Sequence, residues 1–277
     1  VVLGLPGNPV SSFVTAFLFA LPLVRKALGD PAPLPQAVTM TAGEDLPAIG
    51  PKTVRNAIKS GIRLIALEAG GSLAEVRSEV SDAFAAAHQS IAPPRLDILI
   101  QCLPGEALPE MGLVGRAYRS SMFSMTLDPH NPNFPASLRD GALHRHIVHE
   151  VHHCLRMGGP GYGWTLGEAL VSEGLAGQFV RRLLGNEPEP WEQAIAREHL
   201  LHAPAELKAL ESSYYDHNAW FFGGSDQPKW LGYSLGYQMV GDWLQVAGDI
   251  DGHTWVNVTA QEIIANAVEQ GLVADQA

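Results

Sequence analysis

Apolar residues Leu143, Ile147, Val151, Cys154 and Leu155 recur at the spacing of one helix face, so the pattern predicts an amphipathic helix over residues 143–156. A second helix follows a glycine-rich turn at residues 158–163. Its start is marked by Thr165 and Glu168, three positions apart, which is the pattern of a capping box. Upstream, Ser72 and Glu75 repeat the pattern before a helix expected to run to about His88. Strands are expected at residues 1–5, 62–67, 96–103 and 120–127, where apolar and β-branched residues cluster between turn signals. Beyond the two central helices, residues 188–213 read as helical with a break at Ala203 and Pro204, and residues 214–224 as an aromatic loop. Two further helices are expected, over residues 233–246 and from a Thr259 cap to about Glu269. The sum is an α+β fold, a small sheet followed by a mostly helical C-terminal half.

The polar face of the first central helix carries the chemistry. His149, Glu150, His152 and His153 fall within the sequence HEVHH. His149 and His153 are four residues apart, so they lie one turn apart on the same face, where two imidazoles can hold one ion. Glu150 points to the side, away from the ion and towards a water that the ion would activate. A third ligand is needed, and Glu173, 20 positions after His153, is the candidate. Glu168 is then the helix cap, and Gly177, one turn beyond Glu173, would let backbones approach. His144, His146 and His152 are expected outside the ligand set, with His146 or His152 the alternatives if the register of one ligand is shifted, and Cys154 is expected as a small buried side chain.

Composition narrows the partners. The net charge of −11 over 277 residues argues against nucleic acid or an anionic membrane, both of which call for a basic face. No apolar run reaches the roughly 20 residues a membrane span requires. Two cysteines, Cys102 and Cys154, make no disulfide framework, and with no signal-like arrangement the expectation is a cytoplasmic protein. Nothing in the pattern bears on oligomeric state.

The residues HEVHHCLR at 149–156, TLGEALVSEGLAG at 165–177 and PKWLGYSLGYQMVGDWL at 228–244 resemble the bacterial predicted zinc-dependent proteases of gluzincin type, over about residues 72–277. The resemblance implies a gluzincin-like fold, Zn2+ on His149, His153 and Glu173, Glu150 as general base, and a peptide or protein substrate. It also implies an oxyanion donor, for which Tyr233 is preferred to Tyr237. An edge strand pairing with the substrate is expected too, for which residues 120–127 are chosen, an interior position being the alternative. Thermolysin has an aspartate orienting a zinc histidine where this chain has Gly177, so an acceptor must come from elsewhere. Two shorter stretches resemble other enzymes: residues 1–29 a molybdopterin molybdotransferase, and residues 45–71 the UDP-diacylglucosamine pyrophosphatase of lipid A synthesis. Residues 1–71 are therefore expected to be a mosaic segment of uncertain role, ahead of a protease-like domain over 72–277. The rival readings are a non-catalytic zinc protein closed by His152 or Cys154, and a molybdenum-cofactor-related protein built on the N-terminal segment.

Overall fold

The computed structural model describes residues 62–66, 73–224 and 227–275. All of them lie in one compact unit, Leu46–Ala277. The strand expected at residues 1–5, the Ser72 cap and nearly all of the two short N-terminal resemblances lie outside the described residues.

Four strands form a mixed sheet in the order β1-β2-β4-β3: β1 Ile62–Ala66, β2 Leu96–Cys102, β3 Leu113–Arg119 and β4 Met122–Leu127. The first three in that order are parallel, and β3 closes the sheet as an antiparallel hairpin partner of β4, with a bulge between Ala117 and Arg119. The sheet thus includes residues on both sides of position 71. One face is apolar: Leu96, Ile98, Ile100, Leu113, Phe123, Met125 and Leu127 are all at most 1% exposed. Each such side chain contributes about 1.5–3 kcal/mol relative to remaining in water.

The strand chosen as the edge is an interior one. β4 pairs on both sides, with β2 and with β3, and among the described residues it is β3 that ends the sheet. The pattern missed β3 because its core-facing positions after Leu113 are Gly115 and Ala117, too small to give an apolar alternation.

Ten helices follow the strands or lie between them among the described residues. They are α1 Leu73–Ser90, α2 Phe134–Ser137, α3 Ala142–Met157, α4 Leu166–Leu184, α5 Arg197–His202, α6 Leu207–Leu210, α7 His217–Phe222, α8 Leu231–Ala247, α9 Gly252–Asn257 and α10 Ala260–Glu269. Helix α3 packs on the apolar face of the sheet against β3 and β4, with α1 and α4 beside it. Its buried positions Leu143, Ile147, Val148, Val151, Cys154 and Leu155 include the stripe that predicted it. Helix α4 begins at the expected capping box, in which Thr165 Oγ1 accepts from Glu168 N–H and Glu168 accepts from Thr165 N–H. Thr259 caps α10 as expected, accepting from Glu262 N–H.

Residues 188–213 are not one broken helix. Only the short α5 and α6 form there, because the chain is tied down elsewhere: Ile195 N–H donates to Ser234 Oγ, and Ala205 pairs with Val273 in a two-residue parallel ladder. The aromatic loop likewise contains α7, capped by Asp216, which accepts from Ala219 N–H.

The close backbone approach expected at Gly177 occurs instead between Gly174 of α4 and Gly236 of α8. A Cβ at Gly174 would strike the Gly236 carbonyl, and one at Gly236 would strike the Leu170 carbonyl and lie 3.0 Å from its carbon. Both neighbours are backbone, so neither can yield without separating the helices. Gly236→Ala should therefore destabilise the fold by about 1–3 kcal/mol, read as a fall in melting temperature of at least about 2 °C. An unchanged melt would mean that the two helices do not meet there.

The far end of α3 is fixed by Arg156, which is 2% exposed. Its guanidinium donates to the carbonyls of Val256 and Val258, each at 3.0 Å, and to Ser172 Oγ at 3.2 Å. This ties α9 and α4 to the helix that carries the histidines. No helix among the described residues is long and apolar enough to cross a membrane.

Candidate metal centre

Helices α3 and α4 bring three of the predicted residues together. One ligand atom from each of His149, His153 and Glu173 lies within 4.8 Å of the other two. His149 Nε2 is 3.1 Å from Glu173 Oε2, and His153 Nε2 is 3.4 Å from Glu173 Oε1. The two imidazoles meet edge to face with centroids 4.6 Å apart. Two zinc bonds of about 2.1 Å at a tetrahedral angle span roughly 3.4 Å, so donors at this spacing fit one ion. Two imidazole nitrogens and one carboxylate oxygen are also a donor set found in catalytic zinc sites.

The electrostatics favour a charged ligand. Burial alone would raise the Glu173 carboxyl, but the charges and hydrogen bonds of His153 and His149 outweigh it and hold the group well below the usual carboxylate range. Tyr162 donates its hydroxyl to Glu173 Oε1 at 2.8 Å. Burial, and then the Glu173 charge, push that phenol well above its ordinary value, so it remains a donor. Sequence reasoning used the glycines of this turn and missed the tyrosine among them.

Glu150 lies beside the ligand set and outside it. Its carboxylate is packed against β3, where a Cβ at Gly115 would lie 2.7 Å from the carboxylate carbon. Burial, aided by the Glu173 charge and opposed by His149, raises its pKa to about 7. Its Oε2 is buried and has no hydrogen-bond partner among the described residues. The small residues of β3 are therefore part of the site, because they make room for this carboxylate.

Tyr233 lies close enough to feel the charges of the same site. Burial, then the charges of Glu173 and Glu150, raise its hydroxyl well above the ordinary value and keep it neutral. Tyr237 instead lies near Arg181, whose Nη1 is 3.5 Å from the phenol oxygen. Tyr215 and His217 also feel the Glu173 charge, and Arg116 on β3 acts on Glu150, Tyr233 and His217. Neither His217 nor Arg116 stands out in the sequence.

The remaining histidines point elsewhere. His144 pairs with Glu79 of α1 at 3.2 Å, and His146 Nδ1 lies 2.9 Å from the Ala142 carbonyl. His152 is fully buried with Nε2 3.3 Å from the Trp255 carbonyl. Cys154 is in the core, and burial pushes its thiol up to about 12. The two residues invoked for a closed, four-ligand site are thus both turned to other tasks.

These features define a mixed α/β chain, small sheet first and helices after, with a His/His/Glu group able to hold a metal. Residues 109–265, more than half of the chain, match the family described as predicted Zn-dependent protease (DUF2268), and the chain belongs to that family. No curated protein and no solved structure matches it.

Proposed function

We propose that this chain is a zinc-dependent peptidase of gluzincin type, in which His149, His153 and Glu173 hold the ion and Glu150 is the general base. The observation that carries the reading is the position of Glu150. It is a buried carboxylate next to His149 in the sequence, packed against Gly115 of β3 and outside the group of three metal donors. Bound zinc would supply Lewis acidity, polarising the scissile carbonyl and making water acidic enough to lose a proton near neutrality.

The chain's own groups supply the rest. Glu150 takes a proton from the attacking water and passes it to the amide nitrogen as the C–N bond breaks, so the amine leaves neutral. Tyr233, a neutral phenol close to the same site, donates to the carbonyl oxygen as negative charge gathers on it. Tyr162 holds Glu173 in place. The outer edge of β3 takes an extended peptide by main-chain hydrogen bonds, setting the scissile bond beside Glu150.

The test is metal content together with hydrolysis of a mixture of unstructured peptides. Activity should accompany about one zinc per chain, vanish on treatment with 1,10-phenanthroline and return with zinc. Cleavage that survives complete removal of metal, or a zinc-loaded protein that cleaves none of the peptides, would overturn the reading.

A further inference from the structure

Gly177 lies one turn beyond Glu173 on α4, so the space beside its missing side chain is on the face that carries the ligand. A carboxylate fills that space. A Cβ at residue 177 would clash with Glu192, whose carboxylate carbon would be 2.9 Å away. Glu192 is 8% exposed, and it arrives from a turn in which its own N–H donates to the Glu189 carbonyl at 2.9 Å.

That turn is laid along α3. Glu189 pairs with Arg145, and the Trp191 ring meets His146 edge on, centroids 5.4 Å apart. The next residue of α3 on this side is His149, and Glu192 interacts electrostatically with both His149 and Glu173. Among the described residues no cation pairs with Glu192. The one hydrogen bond to its carboxylate there is from Glu189 N–H to Oε2 at 2.7 Å, which leaves Oε1 available. A carboxylate buried without a cation is costly unless something nearby repays it.

His149 turns Nε2 towards Glu173, so Nδ1 is the nitrogen left to be held. A histidine that ligates a metal generally donates its other N–H to a carboxylate or carbonyl, which fixes tautomer and ring orientation. We propose that Glu192 is the positioning residue for His149, accepting the Nδ1 proton, and that residue 177 is glycine so that this carboxylate can enter. The inference rests on the zinc reading of the site.

The experiment measures zinc affinity of the full chain by competition with a chromophoric chelator, alongside 15N-histidine NMR of the zinc-loaded protein. Glu192→Gln keeps an oxygen for the Glu189 N–H, so a purely structural role would survive it. The expected result is zinc binding roughly 10–100-fold weaker, unchanged circular dichroism, and loss of the hydrogen-bonded Nδ1–H signal of His149. A second pair of variants guards against misfolding. Glu192→Gly should weaken binding similarly, and adding Gly177→Asp, which returns a carboxylate to the same space from α4, should restore most of the loss. Wild-type affinity and an unchanged His149 signal in Glu192→Gln would overturn the proposal, as would a folded double variant binding no better than Glu192→Gly. Because affinity is the readout, a protein that binds zinc and cleaves no peptide would remove the peptidase reading while these affinities still decide this one.

Discussion

Glu150→Gln should retain zinc at wild-type affinity and lose peptide hydrolysis by at least about 10²-fold. The two halves of that expectation have separate origins. Zinc is kept because the three donors, His149, His153 and Glu173, are grouped without Glu150. Activity is lost because the amide that replaces the carboxylate can neither accept a proton from water nor return one to the leaving nitrogen. Glutamine is the right replacement, since it fills the same slot against Gly115, so the packing of β3 on α3 is preserved. The measurement is kcat/KM on the best peptide found in the screen, with zinc content taken on the same samples. Turnover within a few-fold of wild type would remove Glu150 from the mechanism. Loss of zinc together with activity would instead make Glu150 part of the metal's support.

The parts of this site that sequence makes visible are those encoded locally. The four-residue spacing of His149 and His153 is fixed by helix geometry, and the role of Glu168 follows from Thr165 three positions earlier, so both could be read before any tertiary contact was known. The parts that stayed hidden come from segments far apart in the chain. β3 escapes the alternation test because Gly115 and Ala117 are small, and at Gly115 it is Glu150 that occupies the space a side chain would take. The room taken by that carboxylate removed the signal that would have shown the strand. Residues 188–196, read from sequence as the start of a helix, instead turn at Glu189 and send Glu192 into the gap at Gly177. Gly177 itself was legible as a place of close approach, but only the fold reveals that a side chain, and not a backbone, approaches it.

The sharpest division between visible and hidden roles lies within α4, where two glutamates five residues apart have opposite duties. Glu168 accepts from Trp164 N–H at 2.7 Å and Thr165 N–H at 2.9 Å, all at the helix start. Glu173 contacts His149, His153 and Tyr162, all at the candidate metal centre. Glu168→Ala should therefore cost about 0.5–2 kcal/mol of stability, as loss of a helix cap does, and leave zinc affinity unchanged. Glu173→Ala should do the reverse. It removes the only carboxylate in the donor set, so zinc affinity should fall by more than the roughly 10–100-fold that an outer partner of a ligand carries. Thermal melts with and without zinc separate the two, because an ion that binds only the folded chain raises the melting temperature by an amount that grows with the logarithm of its affinity. Wild type and Glu168→Ala should both gain stability on adding zinc, and Glu173→Ala should gain little or none. If Glu173→Ala responds to zinc as wild type does while Glu168→Ala does not, the cap and the ligand have been exchanged, and the helix must enter the site one and a half turns earlier than the hydrogen bonds place it.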